Sequence, residues 1–361
     1  MNLKKSVIIL QDEISPYNVP FFNELAKSYD LTVGYYTKDK SASDCFFNKQ
    51  MFKVTYIGPI IFVHGVYNYC KPFDVVVTNP NLHNPSYWTL PFRRHKYCIL
   101  NWSIGFRVSY IHPYLVSRKH NILDSLFMRM INKCDASVFY MEKSKEFWQG
   151  TKLNLNKIFV APNTTEVKDI SFIPDKKKDF IFVGTLYKGK GVDLLIEAFA
   201  FAKAKVRSDI ILHIVGAGEE KKNLESMVVE KDLHDSVIFH GAIFDETVLA
   251  QLFQTALLSF SPTQAGLSVP KSMGYGVPFV TRHDSITGGE RYHITNGVNG
   301  IIYEDNSELK DIMIEAMESS DKYIQMGFRA KQYYQESASI AVMAKGMSDA
   351  IEFALNAHKN K

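Results

Sequence analysis

A chain of 361 residues with 46% apolar content is long enough for two hydrophobic cores, because a single core stops growing at roughly 250–300 residues. Its net charge of +4 is modest, and no nucleic-acid partner is expected from it. The four cysteines (Cys45, Cys70, Cys98, Cys134) form no CxxC pair and have no metal-ligand spacing with nearby histidines, which argues against a secreted disulfide scaffold and for reduced thiols in a cytosolic compartment.

The N-terminus, MNLKKSVIILQDE, is not read as a signal peptide, because Gln11, Asp12 and Glu13 end its apolar run too early. Ser6–Leu10 is instead expected to be the first β-strand. Further strands are expected at 31–36, 74–78, 97–101, 136–140 and 157–161, with helices over Asn18–Ser28 and Leu115–Lys133. Residues 161–179, APNTTEVKDISFIPDKKKD, show neither period and carry a charge run, so they read as a solvated linker. A second series follows, with strands at 179–184, 209–216, 236–241, 257–262 and 300–304 and helices at 192–205, 219–230 and 246–254. Between its last two strands, GLSVPKSMGYGVPFVT (266–281) reads as a loop, a short helix and a buried strand. The final helix carries an apolar stripe at Ile340, Met343, Met347 and Ile351, as a helix lying on a core would. Alternation of this kind predicts an α/β protein of two Rossmann-like, doubly wound parallel-sheet domains facing a cleft.

The charge is unevenly placed. Between Trp88 and Lys133 eight basic residues stand against Asp124 alone, interleaved with Trp88, Phe92, Tyr97, Trp102, Phe106, Tyr110, Tyr114 and Phe127. Two readings stand: a solvated basic face, or a surface for an anionic membrane or a phosphate-bearing acceptor. The longest uncharged window, Thr247 to Pro270, contains Gln251, Gln254, Pro262, Gln264 and Gly266, which are costly in hydrocarbon, so no segment is expected to span a bilayer.

The strongest local signal is FVGTLYKGKGVDLLIEAF (182–199). A strand ends at Gly184, Gly189 and Gly191 flank Lys190, and an amphipathic helix follows. Free N–H groups at a helix start, close backbone approach at glycine and one ammonium together suit a diphosphate, although an ordinary strand-to-helix turn has the same outline. HIVGAGEE (213–220) has two glycines of a dinucleotide fingerprint, Gly216 and Gly218. It lacks the third, and the next strand ends without an acidic residue for a ribose.

The order FVGTLYKGKGVDLLIEAF, HIVGAGEE, VIFHG, GLSVPKSMGYGVPFV, TNGVNGIIY resembles the retaining GT-B glycosyltransferases of the group 1 (GT4) type over Phe180 to about Tyr303. SPYNVPFFNELAKSYDLTVGYY (15–36) and KIFVAPNTTEV (157–167) are similar to the opening and hinge of bacterial surface-polysaccharide members. The resemblance implies an acceptor-binding domain over 1–165 and a donor-binding domain over 166–337, with the helix 338–361 packing back on the first. It implies a nucleotide-diphospho-sugar as substrate, no cofactor and no metal, in keeping with the lack of an Asp-x-Asp motif. It also implies a cytoplasmic protein, peripheral on the inner face of the cytoplasmic membrane, that acts on a glycan or lipid-linked oligosaccharide.

Carried over residue by residue, Lys190 matches the lysine that neutralises the donor diphosphate, while Thr185 stands where many members have an arginine. Gly184, Gly216, Gly266, Leu267 and Ser268 keep the shape of the donor loops. Two glutamates of the family are replaced by Thr263 and Lys271, and Lys271 is expected to add a second positive charge that compensates for Thr185. Ile104 replaces the family's histidine, which leaves His112 or His64 as acceptor-side candidates. Asp12 and Glu13 follow the first strand and either orient an acceptor hydroxyl or solvate a loop. Glu290 either caps backbone N–H groups or replaces a missing glutamate against the sugar. Lys190, Lys271 and Glu290 are the expected catalytic set. The rival readings are a non-catalytic nucleotide-sugar-binding protein and an NAD-dependent oxidoreductase.

Overall fold

The computed structural model describes residues 4–41, 44–79, 81–105 and 119–359. These divide into two compact units. The first holds the N-terminal segments up to Thr165 together with Ile340–Lys361, and the second holds Glu166–Ser339.

The first unit contains β1 (Ser6–Leu10), α1 (Val19–Ala26), β2 (Asp30–Tyr35), β3 (Asn48–Met51), β4 (Val54–Ile57), β5 (Ile60–Val63) and α2 (Val66–Cys70). It continues through β6 (Val75–Thr78), α3 (Pro85–Trp88), β7 (Cys98–Ser103), α4 (Ile122–Lys133), β8 (Ala136–Phe139), α5 (Lys143–Phe147) and β9 (Ile158–Val160). Seven strands pair in parallel in the order β3-β2-β1-β6-β7-β8-β9. Ile8 lies opposite Thr32 on one side and Val76 on the other. β6, β7 and β8 are buried along their whole length, which is why they read as continuous apolar runs rather than alternating ones.

The second unit contains β10 (Asp179–Val183), α6 (Val192–Lys205), β11 (Leu212–Val215), α7 (Lys221–Glu230), β12 (Val237–Gly241), α8 (Glu246–Thr255) and β13 (Ala256–Phe260). It ends with α9 (Ser268–Gly274), β14 (Phe279–Arg282), β15 (Gly300–Tyr303), α10 (Asn306–Glu318) and α11 (Asp321–Tyr333). Its six-stranded parallel sheet has the order β12-β11-β10-β13-β14-β15. α12 (Ile340–Lys359) then places Met343, Met347 and Ile351 in the core of the first unit. Gly346 lets α12 approach β9, since a Cβ there would lie 1.9 Å from the Val160 carbonyl oxygen.

Three expectations change. Of the helix expected over Leu115–Lys133, residues 115–118 lie outside the described ones, and α4 begins at Ile122 because Asn121 forms a capping box: its side chain accepts from the Leu123 and Asp124 amides while Asp124 accepts from the Asn121 amide. The hairpin β4–β5 and the helices α10 and α11 were not anticipated, although the Asp305 cap on Ser307 and Glu308 has a readable N-terminal signature. The 161–179 connection is not wholly solvated. Lys177 is 5% exposed and donates to the carbonyls of Phe253 (2.8 Å) and Tyr275 (3.3 Å), at the ends of α8 and α9, where a cation satisfies unpaired carbonyls. Burial pushes its pKa down to about 7.

None of the four cysteines is in a disulfide. No helix among the described residues is long and apolar enough to cross a membrane.

Candidate functional site

In both sheets the chain order reverses beside the first strand, between β1 and β6 and between β10 and β13. Loops after these strands meet at a switch point, where open α/β sheets hold ligands.

In the second unit the loop after β10 runs through Gly184, Thr185 and the fully buried Leu186 into a single 3-10 turn, Lys188–Lys190. Gly191 then takes a left-handed φ of 64° to start α6, and a Cβ there would lie 2.8 Å from the Thr263 methyl carbon. The loop after β13 is bonded across the switch point. The Thr263 hydroxyl donates to the Gly189 carbonyl (2.7 Å), and the Tyr187 hydroxyl donates to Gln264 Oε1 (2.6 Å). Thr263 therefore holds the lysine loop in place, a role that its replacement of a glutamate did not suggest.

The Lys190 side chain is half-buried and folds back over Gly184, where a Cβ would lie 3.7 Å from its Cε. Its ammonium stands 5.9 Å from the Tyr187 ring centroid. Burial lowers its pKa below the ordinary lysine value, and the charge of Glu290 acts in the opposite direction. No direct ion pair neutralises Lys190 among the described residues. Glu290 is 4% exposed and accepts from the Thr287 hydroxyl (3.2 Å). The Thr287 oxygen in turn accepts the Gly289 and Arg291 amides, so Thr287 caps the backbone of this turn.

The glycines of HIVGAGEE have a different task from the one a dinucleotide would set. A Cβ on Gly216 would lie 1.8 Å from the Gly184 carbonyl oxygen, and one on Gly218 would lie 2.1 Å from that of Leu186. The two loops interlock through Gly184 N to Val215 O (3.0 Å) and Leu186 N to Ala217 O (2.9 Å). These glycines serve the contact between neighbouring loops, which removes the reason for the oxidoreductase reading.

Beside this junction an open cavity of about 340 Å³ is lined by Val183, Gly184, Thr185, Val215, Gly216 and Ala217, and further by Ala242, Ile243 and Phe244. The Phe244 ring is 92% exposed. Sequence reasoning stopped at VIFHG and missed the last three. The signal available was an apolar run placed directly after a strand, ahead of the Asp245 cap that starts α8.

Lys271 corrects an expectation. Its ammonium pairs with Glu246, whose other oxygen accepts from the Tyr275 hydroxyl (2.9 Å). The Tyr275 oxygen accepts the Lys168 amide (3.1 Å), so Lys271 ties α9 to α8 and to the 166–178 connection. With a carboxylate already on it, the Lys271 ammonium is not the unengaged second charge that the sequence suggested. Gly266 has open space around it, and α9 starts two residues later at Ser268, with Leu267 as an uncapped N-cap.

At the first unit's switch point Glu13 is bonded to Lys40 (2.8 Å) and to the Ser15 hydroxyl (2.7 Å), which hold its pKa below the usual carboxylate value. Asp12 reaches solvent, yet the protein around it raises its pKa; a hydrogen bond with Tyr36 opposes this and Glu13 adds to it. His112 lies outside the described residues, as do Phe106, Arg107, Tyr110, Tyr114 and Arg118 of the basic region. His64 bonds to Thr55 across the β4–β5 hairpin (2.8 Å).

Residues 163–333 match the family of group 1 glycosyl transferases. An uncharacterized glycosyltransferase of Haemophilus influenzae is 28% identical over 204 residues, 56% of this chain and 57% of its own length. The chain spans little more than half the length of the curated relatives it matches here. HepE of Anabaena, crystallised in complex with UDP, superposes with a TM-score of 0.68 at 15% identity, covering 96% of this chain and 99% of that one. WaaG, a glycosyltransferase involved in lipopolysaccharide biosynthesis, gives 0.63 at 15% identity, with 96% and 99% covered. The fold, two parallel-sheet α/β units, is GT-B.

Proposed function

We propose that this chain is a retaining, metal-independent glycosyltransferase of the GT4 type that moves a sugar from a nucleotide-diphospho-sugar to a hydroxyl of a lipid-linked glycan. The observation that carries the reading is the Lys190 ammonium, drawn over Gly184 without a direct ion pair, beside the apolar cavity at the ends of β10, β11 and β12. A nucleoside diphosphate has the complementary chemistry. Its base takes the apolar floor against Ile243 and the exposed Phe244 ring, and its phosphates take the ammonium and the free N–H groups at the start of α6. As the bond to the sugar breaks, charge develops on the diphosphate, and a cation already fixed there lowers the barrier without reorganising.

Thr185, on the cavity wall, offers one hydroxyl in place of a second cation. Glu290 acts through Lys190, as a positioning residue that keeps the ammonium charged. Asp12, whose carboxyl holds its proton more tightly than usual, is proposed to orient the acceptor hydroxyl. That HepE was crystallised with UDP and that WaaG serves lipopolysaccharide synthesis support a uridine diphosphate donor and a surface-glycan acceptor.

The lipid-linked acceptor favours a protein resting on the inner face of the cytoplasmic membrane. The described part of the basic region supplies Arg93, Arg94 and Lys96 together with exposed Phe92, Ile122 and Leu123.

A thermal-shift screen of nucleoside diphosphates and their sugars tests the reading, since a ligand that binds only the folded chain raises its melting temperature. A shift is expected with wild type and not with Lys190→Ala. Binding without transfer or hydrolysis would instead support a non-catalytic nucleotide-sugar-binding protein.

A further inference from the structure

We propose that Cys98, Asp135 and His358 form a zinc-type site that fastens the last turn of α12 to the first sheet, independently of the donor site. The three come from separate elements. Cys98 opens β7, Asp135 immediately precedes β8, and His358 lies at the end of α12. Their ligand atoms, Sγ, a carboxylate oxygen and a ring nitrogen, all lie within 4.8 Å of one another, and no other three His, Cys, Asp or Glu side chains converge so closely among the described residues.

His358 supplies the second observation. Its Nδ1 is buried and makes no hydrogen bond, and it stands 3.8 Å from Asp135 Oδ1, beyond hydrogen-bond reach. A buried ring nitrogen without a partner is uncommon, and a cation held between it and the carboxylate would supply that partner. Tetrahedral zinc, with bonds of about 2.0–2.3 Å, sets its ligand atoms about 3.3–3.6 Å apart, so the observed spacing needs only small side-chain adjustments.

The chemistry selects the metal class. Calcium and magnesium prefer all-oxygen shells, whereas one sulfur, one nitrogen and one oxygen suit zinc. Thiolate and carboxylate together balance the charge of a divalent cation. Cys98 is 2% exposed, and its thiol approaches the Ala354 carbonyl at 3.4 Å. Binding replaces that contact with a zinc–sulfur bond and releases the thiol proton to solvent. Asp135 keeps its other oxygen on the Ile99 amide (2.9 Å), which orients the carboxylate. The His358 side chain is 34% exposed, which leaves the fourth position open to water. Apolar burial along α12 ends at Leu355, so the metal would act where packing stops.

Dialysis of the full chain against zinc, followed by metal analysis, is expected to find one equivalent and a raised melting temperature. Cobalt in its place should show a thiolate-to-metal charge-transfer band. Cys98→Ala should remove the band, and His358→Gln should weaken zinc binding at least about tenfold. Because His358 is part-exposed at a helix end, its variant keeps the test valid should Cys98→Ala fail to fold. The proposal is overturned by a chain that retains no zinc, by a cobalt complex without the sulfur band, or by His358→Gln binding as tightly as wild type.

Discussion

Two lysines of the second unit, Lys190 after β10 and Lys271 on α9, carry the same formal charge and have different uses. Lys190 ends a 3-10 turn just before the left-handed Gly191, its side chain folds back over Gly184, and no carboxylate among the described residues is bonded to it. Lys271 meets Glu246 of the preceding helix, and its charge is taken up in holding α8, α9 and the 166–178 connection together. The difference teaches that a cation is available to a ligand only where the fold leaves it without an internal partner, and side-chain type alone does not tell the two cases apart.

The comparison can be broken at several points, the largest effect first. Gly216→Ala forces a Cβ into the Gly184 carbonyl, so the lysine loop and the cavity wall should be displaced together. A loss of about 3 kcal/mol or more is expected in urea unfolding, along with loss of donor binding. Native-like stability in this variant would mean that the interlocked loops do not position Lys190.

Lys190→Ala, in a fold otherwise intact, should lower kcat/KM by about 10²–10³-fold, the usual cost of removing a group aimed at developing charge. Circular dichroism should show the fold retained.

Glu290→Gln sharpens the electrostatic part. Burial lowers the Lys190 pKa and Glu290 raises it, so removing the carboxylate should lower it further. Donor binding requires the protonated lysine and fades as pH rises through its pKa. The alkaline limb of the kcat/KM profile should therefore move to lower pH in the variant. An unmoved limb would show that Glu290 does not act on Lys190.

Lys271→Ala should have the smallest effect, under about threefold on donor affinity and no more than about 1 kcal/mol on stability, because its partner is nearly half exposed. Should Lys271→Ala weaken donor binding as much as Lys190→Ala, the distinction between the two lysines fails.

Apart from the edge strand β3, whose polar, mostly exposed NKQM was not anticipated, the strand series of both sheets was legible because parallel strands covered on both faces are continuous apolar runs, and all eleven expected strands correspond to strands of the structure. The loop-helix-strand reading of 266–281 also corresponds to α9 and β14. The β4–β5 hairpin was not legible. Its exposed Tyr56 and Ile57 mix apolar character with solvent, so neither period stands out. At the candidate site, the glycines around Lys190 could be found from local spacing. The part played by Thr263, Gln264 and the 242–244 wall could not, because each acts across a strand gap that only sheet order closes.

By itself the sequence determined the α/β class, the positions of the apolar strands and the glycine-flanked lysine, since these depend on period and backbone freedom within a few neighbouring residues. Tertiary structure alone decided which lysine stays unpaired, why Gly216 and Gly218 must be glycine, and that Cys98, Asp135 and His358 converge. Those facts depend on distances between segments far apart in the chain, and such distances are set by sheet order and packing rather than by spacing along it.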